Sequence, residues 1–315
     1  MKKITVFGGG TGLSCLLSGL KLFPLDVTTV ITVTDNGSST GKLKQELDIP
    51  AVGDIGKVLV SMANADDDFI RLMSYRFEKA GSLENHPVRN ILLAALIDLK
   101  GNLTEAVRYM CGLLQVRGTV LPLTEEKVEL IGKSDDRDYF GEEEVSANIR
   151  SIRRLAYDHD IRISSEVTEH IMDADLIIFS PGSLYTSILP HLISDQVKDA
   201  IAHTNAPLMY VCNLVTQPGE TDGYQVSDHV EVLNRYLGER KIDMVIANSG
   251  RIDADIQAKY MELERKTAVG LDREGVEALG ARIIDADIFS IENETIRHNA
   301  LKTAYLIFSW LMENE

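Results

Sequence analysis

Ile4-Thr5-Val6-Phe7-Gly8-Gly9-Gly10-Thr11-Gly12 is a short apolar run that empties into four glycines within five residues. Leu13, Leu16, Leu17 and Leu20 follow at i, i+3, i+4, i+7 spacing, which predicts an amphipathic helix. A strand, a glycine loop and a helix N-terminus in succession are suited to hold an anion. Glycine has no Cβ, so a phosphate can come close to the backbone. The first helical turn adds unpaired N–H groups and a partial positive charge. A second strand is read over Thr28 to Thr34, ending at Asp35, where an acidic side chain can reach a ribose hydroxyl. The spacing is not G-x-G-x-x-G, because Leu13 stands at the third glycine, and no Gly-Lys-Ser/Thr follows to make a Walker loop. The alternative is a tight strand-to-helix turn that binds nothing.

Further short apolar runs, each ending in a polar or glycine-rich turn, read as buried strands at Ile4–Phe7, Val30–Thr34, Leu176–Ser180, Leu208–Asn213 and Met244–Asn248. Helical patterns separate them: Ile55, Val58, Leu59 and Met62; the run after Pro87; His229 to Leu237; and Ala300 to Met312. This alternation predicts an α/β, Rossmann-like, doubly wound and mostly parallel sheet, in one domain spanning 1–315. Gly118 to Glu144 breaks the pattern: 118–122 and 127–131 read as short antiparallel strands and 134–144 as an acidic loop, together a small β insertion around 118–144. In such a sheet the ligand lies outside the carboxyl ends of the strands. The polar clusters Gly8–Gly12, Asp35–Gly41, Ser180–Ser183, Asn213–Gly223 and Asn248–Gly250 all fall there.

The chain of 315 residues, 44% of them apolar, has ample core. Its formal charge of −16, from 32 basic and 48 acidic side chains, disfavours non-specific nucleic-acid and anionic-membrane binding. Cys15, Cys111 and Cys212 are widely spaced, with no CxxC, which fits a reduced, cytoplasmic protein. The longest apolar runs are too short to cross a bilayer. The stripe Leu301, Ala304, Tyr305, Phe308, Leu311 and Met312 is expected on the core or on a second subunit of a homodimer.

Asp35 and Asn36 suit a magnesium ion or a sugar hydroxyl, or an Asx-turn that caps a helix beginning near Ser39. Asp54 is a second carboxylate for a metal or acid/base site, or an N-cap. His86 precedes a helix carrying Arg89 and Asn90, as a general acid/base, a phosphate donor or a structural hydrogen-bonder. Ser183, with Thr186 and Ser187, suits phosphate binding better than attack, since no G-x-S-x-G elbow is present. Gln217, Glu220, Thr221, Asp222 and Tyr224 share one polar loop suited to a sugar or base edge. Arg297 and His298 offer the charge a pyrophosphate needs.

These motifs together, Gly8–Gly12, Asp35–Gly41, Gly53-Asp54-Ile55, His86–Asn90, Pro181–Ser187, Thr216–Gly223 and Ile296–Asn299, resemble the bacterial YvcK (GlmR) family. These are the gluconeogenesis factors or UPF0052 proteins, related to the archaeal 2-phospho-lactate transferase CofD. The resemblance implies a UDP-sugar-binding regulator, with UDP-N-acetylglucosamine as ligand. It also implies a role linking gluconeogenic carbon flux to cell-wall precursors and cell shape, with a regulated enzyme of amino-sugar synthesis as partner. From the transferase relatives it implies a Mg2+-dependent transfer of a phosphoryl-linked group, with Asp35, Asp54 and His86 catalytic and Asp35 and Asp54 on the metal. A further alternative is an NAD-binding protein, although the third glycine of the dinucleotide fingerprint is missing. The candidate ligand-binding residues are Gly8, Gly9, Gly10, Thr11, Gly12, Asp35, Asn36 and Ser38 in the first loops. Later in the chain they are Asn90, Gly182, Ser183, Thr186, Asn213, Thr216, Gln217 and Arg297. Two departures from the family stand out. Ser38 replaces a glycine, and Gly56-Lys57 stands where the family has arginine and asparagine, with Arg89 a candidate to restore that charge.

Overall fold

The computed structural model describes residues 1–78, 81–292 and 295–314, and of Ser38 only the backbone. Twelve strands lie among these residues. They are β1 (Lys2–Gly8), β2 (Leu25–Ile31), β3 (Thr119–Pro122), β4 (Leu130–Lys133), β5 (Tyr139–Phe140), β6 (Arg154–Tyr157), β7 (Leu176–Phe179), β8 (Leu208–Val211), β9 (Met244–Asn248), β10 (Arg282–Ala286), β11 (Phe289–Glu292) and β12 (Thr295–His298). Seven form one sheet in the order β10-β9-β8-β7-β1-β2-β3, with every pair parallel. The fold is α/β and Rossmann-like, as the alternating pattern predicts. From β1 the chain winds through β2 to β3 at one edge, then returns to β7 and winds the other way to β10. The direction reverses between β1 and β7, and such a reversal opens a crevice at the strand ends.

Successive side chains of a strand point to opposite faces, and both faces here are covered. Ile4 and Val6 of β1 join the core shared with α1 (Gly10–Leu20), α3 (Gly53–Met62) and the C-terminal helix Ala300–Glu313, while Phe7 joins the core on the other face. Leu13, Leu16, Leu17 and Leu20 are all buried in the first core, as their spacing requires.

Three readings need correction. The second strand is Leu25–Ile31, not Thr28–Thr34. Its ladder with β1 ends at Gly8↔Ile31, where β1 turns into the glycine loop and leaves Thr32–Thr34 without a β1 partner. The segment 118–122 is not an insertion: β3 pairs parallel with β2 at the sheet edge, where Pro122 is tolerated because no further strand needs its N–H. The antiparallel excursion lies later, over β4, β5 and β6, in the order β5-β4-β6. Part of the stretch read as an acidic loop is the helix Gly141–Ala147. The edge strand β10 and the hairpin β11–β12 had no sequence reading.

Candidate functional site

A cleft of about 380 Å³ lies at the carboxyl ends of β1, β7 and β8. Gly9, Gly10, Thr11 and Gly12 form its floor. A Cβ on Gly12 would stand 2.2 Å from the Pro181 carbonyl oxygen, and one on Gly9 would stand 2.7 Å from Asp54 Oδ2. Gly10 has φ +70°, a region L side chains rarely adopt. The loop after β7 faces this floor. There the Gly182 N–H donates to Asn213 Oδ1 at 2.8 Å, and Asn213 Nδ2 returns a bond to the Gly182 carbonyl at 2.8 Å. Asn213 thus fixes the turn with its side chain. Ser183 lines the cleft and caps the following short helix. Arg297 on β12 and Lys266 supply positive charge to the lining; Lys266 is paired with Glu264 at 2.6 Å, and among the described residues no carboxylate pairs with Arg297.

The cleft also carries acidic groups: Asp35, Asp54 and Glu142 line it with Lys57. Asp54 is 9% exposed, at the second position of α3. Burial raises its pKa and Asp35 adds to the rise, while Lys57 opposes it with an ion pair of 2.9 Å. Burial works against the Lys57 charge, but Asp54 outweighs it and holds the ammonium charged. The Asp54 carboxylate also bonds the Gly10 backbone, so the chain's own anion already occupies part of the α1 N-terminal pole. Glu142 is pushed to about 7 by burial and by the neighbouring Asp35 and Asp54 charges, and it lies within hydrogen-bond reach of Asp35 and Thr186. Asp35 makes the Asx-turn, its Oδ1 accepting from the Gly37 N–H at 2.9 Å. Asp54 is not an N-cap: Val52 holds that position. Asp54 is already paired with Lys57, and among the described residues no group of three or more His, Cys, Asp or Glu is arranged to hold a metal ion. A Mg2+ ion that keeps its waters and substrate phosphates would draw on Asp35 and Asp54 alone.

Several sequence candidates stand back from the cleft. Gly8 ends β1 against Ser180, whose Oγ would lie 2.0 Å from a Cβ there. Asn36 packs its amide against Gly141. His86 is buried and bonds Ser39 Oγ at 2.8 Å through Nδ1, and Asn90 Nδ2 donates to the same oxygen at 3.3 Å. Both tie α2 (Ser38–Glu46) to the helix Val88–Lys100. Thr216 is buried against Thr267, each hydroxyl 3.1 Å from the other. The Ser38 side chain lies outside the described residues. Arg89 runs beside Gly56, where a Cβ would meet its Cδ at 3.1 Å. Its pKa falls to about 10 through burial and the nearby Arg76.

Gln217 lines the cleft with a buried Oε1 that has no partner. Cys15, Glu142 and Lys266 also line it and were not singled out by sequence. Cys15 is the next residue but two after Gly12, on the first turns of α1, so helical spacing alone could have flagged it. Nothing local marks Glu142 or Lys266, which arrive from distant segments. His298 lines the cleft too; burial holds it neutral, at about 4, and neither ring nitrogen has a partner.

Residues 4–289 match the family model described as 2-phospho-L-lactate transferase CofD. The chain is 40% identical to the gluconeogenesis factor of Bacillus subtilis, over 99% of this chain and 98% of that protein. It is 38% identical to the gluconeogenesis factor of Halalkalibacterium halodurans, over 97% and 95%. A crystal structure of a UPF0052 family member from Bacillus halodurans superposes with a TM-score of 0.92 at 37% identity, covering 98% of this chain and 99% of that one. Fold, motifs and near-complete alignment agree, and the chain belongs to the CofD family, within its UPF0052 gluconeogenesis-factor branch.

Proposed function

We propose that the cleft binds a nucleotide ligand through its phosphates, and that the protein is transferase-like, of the 2-phospho-L-lactate type named by its family model. One observation carries this reading. The α1 N-terminus, the Gly182–Ser183 turn, Arg297 and Lys266 line one cleft together with Asp35, Asp54 and Glu142. The helix N-terminus, the turn and the two basic side chains suit a phosphate chain. The three carboxyl groups suit hydroxyl groups of a sugar or acceptor, held or deprotonated by Asp35, Asp54 and Glu142.

A second reading is a sensor that binds UDP-N-acetylglucosamine without turning it over and links gluconeogenic carbon flux to cell-wall precursor synthesis. The Lys57–Asp54 pair favours it, since it neutralises a carboxylate that a metal-assisted transfer needs free. The name of the relatives, gluconeogenesis factor, supports only its link to gluconeogenic carbon flux.

Calorimetric titration of ligand-stripped protein with UDP-N-acetylglucosamine, GDP and NAD, with and without Mg2+, separates the two. Preference for GDP with Mg2+, and turnover that Asp54→Asn abolishes, supports the transferase. Metal-indifferent binding of the UDP-sugar without turnover supports the sensor. Arg297→Glu should weaken either ligand at least ~30-fold, about 2 kcal/mol, since it turns a phosphate partner into a repelling charge. Unchanged affinity in that variant removes Arg297 from the site.

A further inference from the structure

Ser183 lines the cleft yet has no proton to offer it. A serine hydroxyl carries one proton and two lone pairs. The proton goes to Glu220 Oε1, with the oxygens 2.5 Å apart. The lone pairs accept from the Thr186 N–H at 3.0 Å and the Thr186 hydroxyl at 2.7 Å. Ser183 is saturated, and its one donor points away from the place where an anion is expected.

Glu220 reaches Ser183 from the loop after β8 and is only 6% exposed. Its Oε2 has no hydrogen-bond partner. The groups acting on it are Ser183 and the backbone of Leu184 and Tyr185, with no cation among them; burial outweighs these bonds and sets its pKa at about 7. From β8, Tyr210 faces it with an unpartnered buried hydroxyl. His229, on the helix Val226–Leu237, stacks on Tyr210 at 6.2 Å and is shifted toward the neutral form by burial. On its own loop Asp222 is paired with Arg150 at 2.9 Å. Glu220 is therefore a buried carboxylate whose charge leans on the Ser183 proton.

We propose that Glu220 is a positioning residue that couples anion binding in the cleft to the uptake of one proton. While ionised, it holds the Ser183 hydroxyl proton away from the cleft. When a phosphoryl oxygen takes that proton as its hydrogen-bond donor, the carboxylate is left short of donors in a buried place, and it takes a proton from solvent. The new carboxyl proton donates to Ser183 Oγ, and the Thr186 hydroxyl, already within reach of Glu142, turns to that carboxyl. No covalent bond between heavy atoms changes. The inference rests on the phosphate-binding reading of the cleft, and it adds that the anion binds together with a proton.

The test is calorimetric titration at pH 7.5–8 in buffers of different ionisation enthalpy. UDP-N-acetylglucosamine and NAD serve as probes, because their diphosphate diesters do not titrate near neutrality. The expected result is uptake of close to one proton per ligand, with affinity falling by about tenfold per pH unit above pH 7. Glu220→Gln keeps an acceptor for Ser183 but does not titrate, so it should abolish the uptake and flatten the pH profile. Ser183→Ala should abolish the uptake while leaving Glu220 in place. Binding without proton uptake in the unmodified protein, or uptake that survives in Glu220→Gln, overturns the inference and leaves the phosphate site standing. Absence of binding by both probes from pH 6 to 8 overturns the phosphate reading and the coupling with it.

Discussion

At Gly12 the first turn of α1 and the loop after β7 are pressed together: a Cβ would lie 2.2 Å from one backbone oxygen and 2.7 Å from its carbon. Backbone cannot yield as a flexible side chain can. Gly12→Ala should cost at least ~2 kcal/mol by denaturant unfolding and weaken phosphate-ligand binding, because the two loops that form the floor must part. A variant as stable as the parent would mean that these loops move freely. The glycines therefore answer to the chain's own atoms as well as to a ligand. Gly8 admits Ser180, Gly9 admits Asp54 and Gly12 admits Pro181, and Gly10 supplies the positive φ. Glu220 has a second consequence, for stability. Its folded pKa of about 7 is above the ordinary 4.5, so its contribution is fully present below about pH 4.5 and is lost as pH rises toward 7. The stability of Glu220→Gln relative to the parent should rise across that window by up to about 3 kcal/mol and then level off. Paired melts at each pH measure this directly, and a constant difference would show that the carboxyl titrates normally.

Among the elements, α2 and the approach to the β4–β6 sheet are joined by a buried charge. Lys44 of α2 is 1% exposed; its Nζ donates to the Val128 carbonyl at 2.7 Å and pairs with Glu129 at 2.8 Å. Removing one partner of such a pair strands the other, whereas replacing the buried ion itself with an apolar side chain removes the desolvation cost as well. Glu129→Ala should therefore cost about 3 kcal/mol, and Lys44→Met clearly less, by chemical denaturation. The reverse order would mean that the ammonium is solvated after all. This joint lies close to Glu142, since Glu129 Oε2 would stand 3.5 Å from a Cβ on Gly141, and the seven-residue helix of Glu142 lies on the same excursion, so the placing of Glu142 in the cleft depends on how that sheet is docked.

For the whole molecule, the last helix closes the first core. Ala304, Ile307 and Leu311 are buried there, and Gly19 of α1 admits Ala300 so closely that a Cβ would stand 2.1 Å from its carbonyl oxygen. Truncation after Asn299 should expose the leucine stripe of α1 and yield aggregated chain by size-exclusion chromatography, where the intact chain gives a defined species. A folded, well-behaved truncation would place the helix outside the core. No helix among the described residues is long and apolar enough to cross a membrane.

Local pattern alone determined the strand–glycine–helix start, the parallel α/β class and the rim loops that carry Gly9–Gly12, Gly182, Ser183 and Gln217. These signals are carried by neighbouring residues: periodicity, turn chemistry and the absence of a Cβ act within a few positions. The same physics explains where such reading stopped. β3 looks like any short apolar run until β2 offers it a parallel partner, and β10 is half-buried and lacks a clean alternation. His86 and Asn90 resemble site residues in sequence, yet both spend their hydrogen bonds on Ser39, 47 and 51 residues away. Glu142 gained its place, and Glu220 its meaning, only when segments far apart in the chain met. Burial and charge proximity belong to the packed molecule, and it is these that raise both carboxyls toward neutrality.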